Sequence, residues 1–242
     1  GSLMPVRKET VMGRDVIIAC DFNSKAEVIN FLSKFEDEKP FVKIGMELFY
    51  AEGPEIVRTI KKMGHKIFLD LKLHYIPNTV KKSMAVLSNL DVDMCNVHAA
   101  GTAAMMEAAL LGLTRPDGTR PLLIAVTQLT STTEERMNRE LCIPGRMEDI
   151  VLHYAENAKA AGLDGVVCSP LEAPVIHREC GSGFLTVTPG IRFADGEKGD
   201  QARITTPAQA KTLGSDYIVV GRPITASPDP VAAYLRCVSE FL

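Results

Sequence analysis

The chain has 242 residues, 46% hydrophobic and 24% charged, which suits one large folded domain with an ample core. A formal net charge of -3 and a pI near 6.0 exclude a general electrostatic binder of nucleic acid or membrane surfaces. No apolar run reaches the roughly 18 residues of a membrane span, so affinity for a phosphorylated ligand must come from a local site.

Gly1, Ser2 and Leu3 ahead of Met4 read as an expression scar, which leaves 4–242 as a single domain. Short apolar, β-branched runs predict strands over 16–22, 41–48, 66–73, 94–99, 122–129, 165–169, 185–189 and 217–221. Helical patterns fill the gaps. The segment 24–36 opens on Ser24 with Glu27 three residues on, a capping-box pattern. Over 53–63, Ile56, Val57 and Ile60 share a face and Gly64 supplies a stop. Over 148–161 the stripe is Ile150, Val151, Tyr154, Ala155 and Ala158; over 229–241 it is Val231, Tyr234, Leu235 and Val238. Eight βα repeats without a GxGxxG first turn predict an α/β fold of the (β/α)8 TIM barrel type. Two connections, 130–147 and 193–205, are long and irregular, as ligand-covering loops are.

In such a barrel, functional side chains come from the C-terminal ends of strands. Asp21 ends the first predicted strand, Lys43 interrupts the second, and Asp70 and Lys72 lie late in the third. Alternation places Asp70 and Lys72 on one face about 7 Å apart, with Lys43 able to point into the same interior. Buried lysines need partners, so the three imply a mutually neutralising network. An ion-pair cluster that only fixes the fold is the alternative. Three charges at the catalytic end favour a chemical role. Turns PGIR (189–192) and VGRPIT (220–225) offer a phosphate site, with Gly221 allowing close backbone approach and Arg222 adding a cationic fork. His65, His153 and His177 read as surface or helix-flank residues, His98 as a polar residue near the site, and His74 as shaping the third loop. Cys20, Cys95, Cys142, Cys168, Cys180 and Cys237 lack metal-ligand spacing and read as buried thiols of a cytoplasmic protein.

The segments ACDF, FVKIGMELF, FLDLKLHYIPNT, NVHAAG, VTQLTS, TPGIR and GSDYIVVGRPIT resemble, in order, the orotidine 5'-phosphate decarboxylase family. The resemblance runs from residue 15 to the C-terminus. It implies cofactor-free decarboxylation of a pyrimidine nucleotide, orotidine monophosphate, to uridine monophosphate by a homodimer with shared active sites. It implies that Lys72 protonates C6, that Asp70 faces the substrate carboxylate and holds Lys72, and that Lys43 contacts ribose and Asp70. It further implies Asp21 on the ribose hydroxyls, Thr130 on the pyrimidine edge, Gln201 and Arg222 on the phosphate with Arg192 near it, and Thr79 from the partner subunit. One position departs. The family pattern DxKxxD has an aspartate where this chain has Tyr75, while its neighbours on both sides are intact. That reads as an isolated or engineered substitution that impairs an otherwise active enzyme, leaving Lys43, Asp70 and Lys72 with net charge +1. Two rival readings are a metal-dependent phosphosugar decarboxylase or aldolase on a related barrel, and a nucleotide-binding protein made inactive by Tyr75.

Overall fold

The computed structural model describes residues 13–196 and 204–242. Eight parallel strands close a barrel in sequence order: β1 (Asp15–Ala19), β2 (Phe41–Ile44), β3 (Ile67–Leu73), β4 (Met94–His98), β5 (Leu122–Val126), β6 (Gly165–Val167), β7 (Leu185–Thr188) and β8 (Tyr217–Val220). β1 pairs with both β2 and β8, so no strand has a free edge. All eight predicted strands exist. All but β3, which ends at Leu73 as expected, stop short of their predicted C-terminal limits, most of all β2, where residues 46–48 belong to the helix Met46–Glu52.

Two apolar layers follow from strand alternation. Val16 and Ile18 of β1 face outward into the layer under the helices, with Val42, Ile44, Ile67 and Leu69. Ile17 faces inward, with Phe41, Phe68, Met94, Leu122 and Tyr217, and fills the barrel. Full burial of such a side chain stabilises by about 1.5–3 kcal/mol. The barrel is therefore a packed core through most of its height. Two residues beyond Phe41, Phe68 and Met94 on the same inward face stand Lys43, Asp70 and Asn96. Apolar filling thus gives way to a polar layer toward the C-terminal end.

Several helices match their sequence signals. Pro54–Lys62 buries Ile56, Val57 and Ile60, and Met147–Ala160 buries Val151, Ala155 and Ala158. Other expectations need correction. Ser24 caps Lys25–Leu32 by accepting the Glu27 amide, but only this serine half of the capping box forms. The last helix, Pro230–Phe241, buries Tyr234, Cys237 and Phe241 and leaves Leu235 exposed, so the helix is rotated from the expected stripe. The 130–147 connection contains the helix Glu134–Arg139, capped by Thr133. Of the cysteines, Cys142 is exposed and the other five are buried. His65 is buried with Nδ1 on the Pro40 carbonyl at 2.8 Å, and half-buried His177 bonds Asp216 through Nε2 at 2.8 Å; neither is a surface residue. Only His153 of those three is exposed. Among the described residues, no helix is long and apolar enough to cross a membrane.

Candidate active site

The inward polar layer forms a charged chain at the C-terminal mouth of the barrel. Lys72 Nζ donates to Asp70 Oδ1 at 2.8 Å. Lys43 Nζ lies 3.2 Å from the other carboxylate oxygen, Oδ2, and 3.7 Å from Asp21 Oδ1. Charges therefore alternate along Asp21, Lys43, Asp70 and Lys72 and sum formally to zero. The expected net charge of +1 omitted Asp21, which lies beyond the end of β1 and reaches the cluster from its exposed loop.

Simple alternation accounts for Asp70 but not for Lys72. Between Leu69 and Leu73 the register with β4 shifts, so four steps along β3 run against the two from Cys95 to Val97. Lys72 absorbs the excess with φ +52°. That left-handed conformation costs a residue with a Cβ about 1–2 kcal/mol. It is held by Asn96 of β4, whose Oδ1 accepts the Lys72 backbone N–H at 3.0 Å while its Nδ2 donates to Asp70 Oδ1 at 2.8 Å. Asn96 is 1% exposed and Asp70 6%.

Burial raises the Asp70 carboxyl pKa, but the Lys43 and Lys72 ammonium groups and the hydrogen bonds from Lys72 and Asn96 outweigh it. The net result lies below the ordinary carboxylate range, so Asp70 is an anion at neutral pH. His98, at the end of β4, has its ring 5.6 Å from that of His74. Burial, then the His74 and Lys72 charges, push its pKa down, so His98 is neutral at pH 7.

Lys43, Asp70, Lys72 and Asn96 line a cavity of about 250 Å³ that Thr130 and Ser131 also border. Its remaining wall is mostly apolar, including Phe68 and Val126. This is a partly dry pocket with one polar side, the form small-ligand sites take. Arg192 and Arg222 line a separate, larger cleft of about 710 Å³. Burial and the neighbouring Arg222 charge lower the Arg192 pKa, as expected where two guanidinium groups share a site that an anion could neutralise. Gly190 sits at φ +79°, a turn that an L side chain would strain, and Gly221 caps the short helix Arg222–Thr225.

Not every expected residue joins this constellation. Tyr75 is 64% exposed and Thr79 is exposed on Pro77–Leu87, and neither lines the cavity. Gln201 lies outside the described residues. Asn96 was missed. The period-2 rule that picks out Asp70 reaches it too, two residues past inward-facing Met94 on a strand otherwise apolar up to His98.

Residues 14–237 match the family described as orotidine 5'-phosphate decarboxylase / HUMPS. A protein from Geobacillus sp. (strain WCH70) named orotidine 5'-phosphate decarboxylase is 57% identical over 233 residues, covering 95% of this chain and 98% of that protein. One of the same name from Bacillus cytotoxicus is 57% identical over 226 residues, covering 92% and 95%. The crystal structure of orotidine 5'-phosphate decarboxylase from Lactobacillus acidophilus matches with a TM-score of 0.85 at 43% identity, covering 94% of this chain and 99% of that one. With its barrel, its charged mouth and relatives along nearly its whole length, the chain belongs to the orotidine 5'-phosphate decarboxylase / HUMPS family.

Proposed function

We propose that this chain decarboxylates orotidine 5'-monophosphate to uridine 5'-monophosphate without a cofactor, a step of pyrimidine biosynthesis. The observation that carries this reading is the 2.8 Å contact between Lys72 Nζ and Asp70 Oδ1 at the edge of a cavity bordered by Phe68 and Val126. Loss of CO2 breaks the bond to C6 and leaves its electron pair on that carbon. The pyrimidine has no obvious sink for that pair, and an ammonium fixed beside it supplies both a stabilising charge and a proton. Lys72 delivers that proton to form the C6–H bond, and the resulting amine regains one from solvent. Asp70 holds the ammonium and faces the departing carboxylate. Lys43 links Asp70 to the ribose, and Asp21 takes ribose hydroxyls.

Thr130 reads the pyrimidine edge. Arg192, Gln201, Gly221 and Arg222 take the phosphate, whose binding energy positions the distant reacting carbon. The chain works as a cytoplasmic homodimer in which Thr79 and the residue at 75 reach the partner's site. The strong exposure of Tyr75 and of neighbouring Ile76 supports that placement, since adjacent large apolar side chains left in water are a feature of surfaces that a partner covers.

A phenol at position 75 brings no charge to Lys72. A unit charge pair 4 Å apart at an effective dielectric of 20 is worth about 4 kcal/mol. Restoring a carboxylate by Tyr75→Asp therefore raises kcat about 100- to 1000-fold, followed by the absorbance change on orotidine monophosphate consumption. Equal turnover in the two proteins would refute the role given to position 75. No CO2 release from either would refute the decarboxylase reading.

A further inference from the structure

Asn96 stands between the two groups that the reaction uses most, yet it carries no charge and has no place in the proton transfer. We propose that Asn96 is a positioning residue for this reaction: its one amide orients the Asp70 carboxylate and locks the Lys72 backbone, so that the ammonium is aimed at the reacting carbon. This rests on the decarboxylase reading and adds a residue to it.

The geometry allows only one orientation of the amide. The Lys72 backbone N–H can only donate and the Asp70 carboxylate can only accept, so Oδ1 must face the first and Nδ2 the second, as found at 3.0 and 2.8 Å. The N–H that Asn96 captures lies inside the register shift between β3 and β4. A strand N–H displaced from its ladder and half-buried needs another acceptor, and the side chain of Asn96 stands in for a main-chain carbonyl. Its other end bonds the same carboxylate oxygen that accepts the Lys72 ammonium. Asp70 Oδ1 therefore receives two donors, while Oδ2 is left to Lys43. With Lys72 held at its backbone and its ammonium, the side chain spans a fixed path. A group so constrained needs little reorganisation when charge develops at the substrate carbon.

The two ends of the amide can be tested apart. Asn96→Asp keeps the acceptor for the Lys72 N–H, loses the donor to Asp70 and sets a second carboxyl against it. Asn96→Ala removes both. Each variant is assayed in this chain and in the Tyr75→Asp background, with orotidine monophosphate as substrate. Loss of a hydrogen bond to a charged group predicts a kcat lower by about 10- to 100-fold. KM changes less than about threefold, because the phosphate and ribose contacts are intact.

Removing a donor from the Asp70 anion raises its pKa, so the acidic limb of the kcat profile moves to higher pH, further in Asn96→Asp. Hydrogen exchange at the Lys72 amide quickens in Asn96→Ala and stays slow in Asn96→Asp. A kcat within twofold of the parent, or an unmoved acidic limb together with a fall no larger than the loss of folded protein, would leave Asn96 a merely structural residue. Should neither parent release CO2, the decarboxylase reading fails first. Rapid exchange of the Lys72 amide in the parent would then overturn the Asn96 inference separately.

Discussion

The two ends of the barrel hold buried and half-buried charges in opposite ways. At the N-terminal end, Asp93, Asp164 and Asp216 each stand immediately before an even-numbered strand and accept the backbone N–H of a residue at the start of the preceding strand. Asp93 takes Ile67 at 2.8 Å, Asp164 takes Leu123 at 2.9 Å, and Asp216 takes Thr186 at 2.8 Å. Each also holds a cationic or ionisable partner: Lys61 at 2.8 Å, Arg120 through two bonds of 2.6 and 3.0 Å, and His177 at 2.8 Å. These carboxylates staple neighbouring strands in register. At the C-terminal end, Asp70 bonds two lysine ammonium groups and an amide beside a cavity, and the backbone next to it is left-handed. A buried ion pair alone does not mark a site. What marks one is an ion pair facing open space, beside strained backbone that its neighbours hold in place.

The contrast can be broken by mutation, and the largest effect belongs at the C-terminal end. Lys72→Ala removes the proton donor and lowers kcat by roughly 10²- to 10⁴-fold, with thermal stability nearly unchanged and uridine monophosphate binding retained by calorimetry. A large fall in melting temperature instead would make Lys72 a staple like those below. The matching change at the other end is Asp164→Ala. It strands Arg120, which is largely buried, at a cost of about 3–5 kcal/mol and so about 10 °C in melting temperature. Turnover per folded molecule stays at the parent value, as active-site titration would check.

The smallest effect is in the pH dependence, which separates His65 and His98 from Asp70 by window. His65 has its pKa lowered from 6.5 by burial, so its neutral form is favoured on folding. Its stabilising contribution is complete above that value and is lost as pH falls below it. Asp70 has its pKa lowered from 3.8, so its contribution is present above that value and is lost only as pH falls through the folded-state pKa. Mild acid therefore acts on His65 at the N-terminal end, and on His98 at the mouth, before it reaches Asp70. Melting curves between about pH 7 and 5 should flatten in His65→Gln and keep the parent slope in Asp70→Asn; the reverse result would misplace the acid-sensitive group.

Much of this was legible in the sequence because short apolar runs and strand alternation are local. Eight strands, the barrel, and the clustering of Lys43 and Asp70 follow from that periodicity. The family resemblance rests on motifs such as FLDLKLHYIPNT, in which Tyr75 stands out as a departure. Asn96 obeys the same alternation but was lost among apolar neighbours. His65 and His177 looked superficial because their partners, the Pro40 carbonyl and Asp216, are 25 and 39 residues away.

The sequence by itself determined the fold class and the inward placement of Lys43 and Asp70, since both depend on the order of polar and apolar side chains along each strand. Only the tertiary structure decided how Lys72 meets Asp70, because that needed two extra residues in β3 against β4, a left-handed lysine and an amide from the adjacent strand. It also decided that Asp21 completes the alternating chain of charges. Those outcomes depend on register between strands, which no single strand encodes.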